Sequence, residues 1–432
     1  MRHFAAKSAL CICLCFLTGC ADQLVSTSAG ITPPDKQPVL AAYTPKPQDR
    51  ILSRQRYISQ LQGFWLGESI ANWTGLVTEF DRTAPPFYTR RDWNTPDHPN
   101  AWGNYVPHTR TIGFYFVNKG APWGADDDTD MEYLYQYLLE KHQASLLTPE
   151  QIRAGWLEHI YTNEDAPFYS MFPDSKPERE NFLWVSNEKA LYLMKAGLLP
   201  PATSEPENNP NAHSIDAQLT TEIFGAFSPA RPDIALKIAE LPIRATAKGD
   251  AEWAAKFYVL MYSLASASDA STSMESRTLW MAAQARQRIP QESVIASMYD
   301  FVKASYERNP NKENWEKTRD EVYERYQKTS HDGYVYREAF DAGINFAASM
   351  VSLFYGQGDI ARTIQIGCLV GWDSDNPPAT WGGLLGLMLG KEGVEKAFGQ
   401  YNLSDTYWIH RTRRNFPDHT PGQDDEDSFS LM

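Results

Sequence analysis

Four aspartates stand within five positions at Asp126, Asp127, Asp128 and Asp130, with Thr129 among them. The residues that follow, Met131, Leu134, Tyr135, Leu138 and Leu139, recur at helical spacing, so the aspartates open a helix. One Asp or Thr suffices to cap free backbone N–H groups and to meet the helix dipole. Four carboxylates repel one another unless water or a cation separates them. A second segment of the same build, Asp373-Ser374-Asp375-Asn376, follows Gly371-Trp372 and precedes a helix carrying Gly382, Gly383, Gly386 and Gly390. Oxygen donors of these kinds, with no His or Cys beside them, suit a hard cation such as Mg²⁺ or Mn²⁺. Neither segment is a calcium loop of the EF-hand type. Met131 and Tyr137 replace its sixth-position Gly and twelfth-position Glu in the first, and Pro378 takes the sixth position in the second. Either segment alone reads as a solvated helix cap; the pairing points to one metal site assembled from two places in the chain.

The elements that must position these segments are almost all helical. Apolar spacing predicts helices over 51–69, 187–196, 215–226, 231–240, 250–267, 274–288, 291–308, 312–328, 337–355, 358–370 and 379–400. Thr148-Pro149-Glu150-Gln151 is a capping box with Pro at the first helical position, starting a helix through His159. Residues 251–265 are apolar nearly all round and predict a central, buried helix. The longest irregular stretch, 80–124, lies just before the first acidic cluster, where a long loop often forms the wall of a site. The reading is one all-α domain over 50–415, with an acidic, disordered tail over 416–432. Within the tail lie Asp424, Asp425, Glu426 and Asp427.

Length and charge narrow the field. With 432 residues and 42% hydrophobic content the chain can bury a sizeable core. A formal charge of -14 argues against a nucleic-acid partner. Arg2, His3 and Lys7 precede a short apolar run that ends in Leu17-Thr18-Gly19-Cys20. That layout predicts a lipoprotein signal peptide over 1–19, a lipidated Cys20, and a Pro/Ser-rich tether over 20–49. Cys11, Cys13 and Cys15 leave with the signal, so Cys368 remains alone, without a disulfide partner.

The sequence resembles the ADP-ribosylglycohydrolase family, which includes the dinitrogenase-reductase-activating type. Three motifs carry the resemblance in order: Gly63-Phe64-Trp65-Leu66-Gly67-Glu68, Asp127-Asp128-Thr129, and Asp373-Ser374-Asp375-Asn376 with Gly382 and Gly386. The middle is similar as well, through Ile215-Asp216-Ala217-Gln218 and Arg231-Pro232-Asp233. The resemblance implies an all-α fold of the orthogonal helical type with two Mg²⁺ or Mn²⁺ ions in a central cleft. It implies Asp127, Asp128, Asp373 and Asp375 as ligands, with Asp126 and Asn376 standing where the family has Thr. Glu68 takes the place of a family Asp. A family acidic position falls at Gly75, with Glu79 the nearest carboxylate, and a family His falls at Ala247.

The chemistry implied is hydrolysis at an anomeric carbon, with hard cations orienting a sugar and a carboxylate deprotonating water. Glu68, Glu79 and Asp216 are the candidates for that carboxylate, in that order. Trp123 and Trp372, each just before an acidic cluster, are candidates to stack on a sugar or base. Trp73 and Trp381 read as core, and Asp130 as a first-turn charge. A lipid-anchored protein of the cell envelope, at the outer membrane where the host has one, meets glycosides more than ADP-ribosylated protein. The sequence therefore points to a metal-dependent hydrolase of an extracytoplasmic O- or N-glycoside. True ADP-ribose removal is the second reading, and a non-catalytic binding lipoprotein the third.

Overall fold

Two helices far apart in sequence, Arg54–Gly75 and Asn376–Leu389, cross in backbone contact, and the rest of the molecule is assembled around that crossing. Glycines make the approach possible. A Cβ added at Gly67 would lie 2.3 Å from the carbonyl oxygen of Gly382, and one at Gly63 would lie 2.4 Å from that of Gly386. The reciprocal positions are as tight, at 2.4 Å for Gly382 and 2.1 Å for Gly386. Any side chain there drives the two backbones apart. The contact ends where the chemistry begins: a Cβ at Gly75 would sit 2.3 Å from the Cα of Asp375.

The computed structural model describes residues 44, 46, 49, 51–96, 111–169, 178–417 and 427–432. The expected signal peptide over 1–19, Cys20 and nearly all of the expected tether lie outside the described residues. Gln48–Met432 forms one compact unit. No helix among the described residues is long and apolar enough to cross a membrane.

The fold is all-α. Asp250–Ala265 is buried along almost its whole length, as its apolar circumference requires, and it packs on Ile223–Ala226, Pro232–Ile243 and Met274–Arg286. Ala342–Gly356 and Ile360–Val370 close the other side of the core. The capping box at Thr148 is present, its hydroxyl accepting from the Gln151 N–H at 3.2 Å. Two predicted helices are broken. The 379–400 run stops at Leu389, because Gly390 adopts φ 75°, and resumes as Lys391–Phe398. The 215–226 run splits into Asp216–Thr220 and Ile223–Ala226, which leaves Thr221 and Glu222 in the turn between them.

A small sheet fastens the chain's end to the acidic helix. Strand Trp123–Gly124 pairs parallel with Thr406–Trp408, which pairs antiparallel with Asp427–Ser428. Asp427 and Phe429 are buried, and Asp427 accepts from the Tyr133 hydroxyl at 2.7 Å. The expected disordered tail is therefore corrected for 427–432. Its apolar Phe429 stacks on Trp65, and that burial outweighs the acidic composition that suggested disorder.

Candidate metal centre

The helix Asp127–Lys141 begins at the edge of the small sheet, so its first turn is held on both sides. The Thr129 hydroxyl accepts from the Asp126 N–H at 3.2 Å and pairs with the Tyr407 hydroxyl at 2.7 Å. From the first helix, Asn72 donates to Asp126 Oδ2 at 3.1 Å and to Asp128 Oδ2 at 2.9 Å. From the glycine helix, Asn376 donates to Asp128 Oδ1 at 2.9 Å and accepts from Gln218 at 3.0 Å. One carboxylate thus ties together the three segments that carry the motifs.

The acidic side chains converge on one cleft. It holds about 920 Å³ of space, its open mouth included. Asp126, Asp127, Asp128, Asp373, Asp375, Glu79 and Asp216 all line it. Asp126, Asp127 and Asp128 form one group whose oxygens lie within 4.8 Å of one another; Glu79, Asp373 and Asp375 form a second. Glu79 is therefore a member of a cation-binding group, supplied four residues beyond the position where a carboxylate was expected. Asn376 belongs to the support of Asp128 rather than to either group.

Burial and mutual repulsion push these carboxyls up. Asp128 lies well above the usual carboxylate range through burial first, then the charges of Asp375 and Asp126, with the Asn376 amide pulling the other way. Asp373 and Asp375 are raised by burial, then by Glu79 and by Asp373 respectively. Asp127, the one member of its group partly open to the cleft, is raised by desolvation and then by Asp126, Asp128 and Asp130. One buried oxygen, Asp375 Oδ1, has no hydrogen-bond partner among the described residues. Repelling carboxylates, a buried oxygen without a donor, and an all-oxygen donor set fit hard divalent cations.

Asp216 stands apart from both groups. It accepts the Asn187 N–H at 2.9 Å, and burial pushes it up to about 6. The walls are apolar and aromatic: Trp73, Leu76 and Phe80 on one side, Phe182, Trp184, Ile215, Leu219 and Phe340 on the others. Arg411 supplies the positive charge at the rim. Its guanidinium lies 5.3 Å from the Trp73 ring and 4.5 Å from Phe182, donates to the Ala125 carbonyl, and partly offsets the burial that raises the Asp126 carboxyl.

Three sequence readings are corrected here. Glu68 is fully buried and does not line the cleft; it faces Glu132 and Glu222 instead. Trp123 is fully buried, its indole N–H held by the Ser404 carbonyl at 3.1 Å. Trp372 is fully buried against Phe87 and donates to Gln327 at 2.7 Å. Neither can stack on a ligand; Trp73 is core, as read, with an edge on the cleft wall, and half-buried Trp184 lines the cleft as well. Asp130 falls in the first turn as read, and it is fully buried and paired with buried Arg413 at 3.0 Å. Arg411 and Phe182 carry no local motif, and only the fold brings them to the cleft.

A family-wide sequence profile described as ADP-ribosylglycohydrolase matches residues 53–425. The chain belongs to the ADP-ribosylglycohydrolase family. The match spans both acidic groups, Asp216 and Arg411. Among solved structures, an ADP-ribosylglycohydrolase-related protein complex is similar at 12% identity, with a TM-score of 0.44, covering 79% of this chain and 90% of that one. No curated protein matches the chain.

Proposed function

We propose that this family member is a hydrolase dependent on Mg²⁺ or Mn²⁺ that cleaves a glycosidic bond, O- or N-linked, in an extracytoplasmic substrate. The observation that carries the reading is the convergence of two carboxylate groups and a separate carboxyl, Asp216, on one aromatic-walled cleft. Asp126, Asp127 and Asp128 would hold one ion, and Glu79, Asp373 and Asp375 a second. Such ions, when bound, supply Lewis acidity and a template for the sugar's oxygens.

The chain's own residues do the rest. Asp216, raised to about 6, changes charge close to neutral pH, where a general base or acid works best. It takes the place that Glu68 held in the sequence reading. Trp73 and Trp184 give flat apolar faces of the kind on which sugar rings and bases stack. Asn72 and Asn376 fix the Asp128 carboxylate from both sides, so its oxygens do not reorient when charge develops.

The cleft lining favours an uncharged glycone. Arg411 is the single basic residue among the cleft's described lining, and its guanidinium is already committed to the Ala125 carbonyl and to Asp126. A diphosphate out of reach of the two ions would find Arg411 as its one basic partner among the cleft's described lining. Removal of ADP-ribose is the second reading, supported by the family match. The anchored, extracytoplasmic setting rests on the sequence through Cys20, as does placement at an outer membrane.

The test is hydrolysis of a panel of O- and N-glycosides, with ADP-ribosyl substrates included, by the mature protein in Mg²⁺, Mn²⁺ or chelator. Turnover of a neutral glycoside that chelator abolishes supports the reading. Turnover confined to ADP-ribosyl compounds favours the second reading, and metal-stimulated binding without turnover of any substrate overturns both.

A further inference from the structure

A third carboxylate group lies away from the cleft, and the function proposed above does not use it. Glu68 from the first helix, Glu132 from the acidic helix and Glu222 from the turn before Ile223 bring their oxygens within 4.8 Å of one another. Glu68 and Glu132 are fully buried and Glu222 is 1% exposed. Glu132 lies one helical turn beyond Asp128, so the group adjoins the cleft carboxylates without sharing a residue with them.

The oxygens divide into two sets. Glu132 Oε1 accepts the Ile223 N–H at 2.8 Å, and Glu222 Oε1 accepts the Thr380 hydroxyl at 2.9 Å. The remaining four, both of Glu68 and the Oε2 atoms of Glu132 and Glu222, are buried with no donor among the described residues. The nearby Tyr262 hydroxyl cannot serve, since it already donates to the Thr380 carbonyl at 2.6 Å. The charges acting most strongly on Glu68, those of Glu132, Glu222 and Asp128, are all negative. Glu68 and Glu132 are close enough to share a proton, and without a cation the cluster is neutral only when each of its three carboxyls carries its own. Once ionised, such charges are prohibitive to bury unpaired. A water molecule can donate to these oxygens without neutralising them.

We propose that Glu68, Glu132 and Glu222 hold a buried hard divalent cation, distinct from any ion in the cleft, that ties the first helix to the acidic helix and to the Glu222 turn. One oxygen from each of three carboxylates within 4.8 Å, among buried oxygens without a donor in the described residues, suits the all-oxygen coordination such ions take. The ion neutralises the cluster and cross-links segments that the glycine crossing and the acidic helix must keep in register.

The experiment counts Mn²⁺ per chain in the full mature protein, stripped by chelator, reloaded, and freed of loose metal. Two variants are compared with the parent. D127N/D373N removes a ligand from each cleft group and is expected to keep one ion per chain. E68Q/E132Q/E222Q keeps the side-chain volume and is expected to bind one ion fewer than the parent, with a smaller rise in Tm on adding Mn²⁺. A D127N/D373N protein that holds no ion overturns the proposal, whether or not the triple variant folds. So does a triple variant with the parent's ion count, which shows that protons neutralise the cluster. The count in D127N/D373N is independent of the cleft's ions, so failure here and failure of the hydrolase reading give different results.

Discussion

The cleft carboxylates and the buried glutamates are built from the same chemical group and are both pushed up by burial, yet they are placed for different work. Asp126 and Asp128 are braced by the amides of Asn72 and Asn376 and open onto a cavity with aromatic walls. Glu68, Glu132 and Glu222 open onto nothing but one another. Access separates a site where a substrate can be worked on from one that can only hold the structure together. Charge density alone would rank them equal.

The largest effect expected on that comparison comes from the cleft. D127N together with D375N should lower turnover of any glycoside found by about a thousandfold or more, the scale of losing metal assistance. Steady-state kinetics in saturating Mn²⁺ checks this, and unchanged turnover would break the cleft's side of the comparison. Asp216→Asn should lower kcat by about a hundredfold or more while ion counts stay at the parent value. Its pH–rate profile should also lose the limb near 6 that the parent shows.

The glycine crossing positions both carboxylate sets and is open to a direct test. Gly67→Leu places a side chain where a Cβ already lies 2.3 Å from the Gly382 carbonyl. Urea unfolding should show a loss of about 3 kcal/mol or more, the high end for overpacking, because backbone rather than a pliant side chain must move. A loss under about 0.5 kcal/mol, the range of neutral surface changes, would contradict the crossing.

A smaller effect concerns pH. Asp216 and Glu222 are raised to about 6 and about 8, above their unfolded values of 3.8 and 4.5. Both are therefore protonated in the fold at pH values where the unfolded chain has already ionised. Their contribution to the stability of the metal-free protein is full below about 4 and is lost as pH rises through these values. Asp216 alone accounts for a loss on the order of 3 kcal/mol across that window. Thermal melts in chelator from pH 5 to 8 should fall steadily, and Mn²⁺ should flatten the curve. A rise with pH in chelator would contradict the assignment.

Much of this was legible in the chain. Asp126–Asp128 and Asp373–Asp375 announce themselves because helix starts are local signals, and the glycine spacing announces the crossing. The buried glutamates do not. Glu132 sits inside a helix and reads as a solvent-facing charge, and Glu222 falls in a turn that the apolar pattern hid within one helix. Trp123 and Trp372 show the limit of adjacency. Each precedes an aspartate, but Trp123 enters a strand and Trp372 takes φ 62°, and both rings end in the core while Trp73 and Trp184 face the cleft. Arg411 arrives from beyond the last motif, and Phe429 outweighs the acidic residues before it. Long-range packing decided these, and no local spacing carries it.

Whether ions held by the cleft carboxylates run the proposed hydrolysis is decided by titrating Mn²⁺ into the chelator-stripped mature protein while following both ion binding and hydrolysis of the best panel glycoside. Turnover should be absent at the start and rise in step with occupancy of the ions that D127N/D373N lacks. Turnover already complete in chelator, or independent of those ions as they bind, would contradict that role.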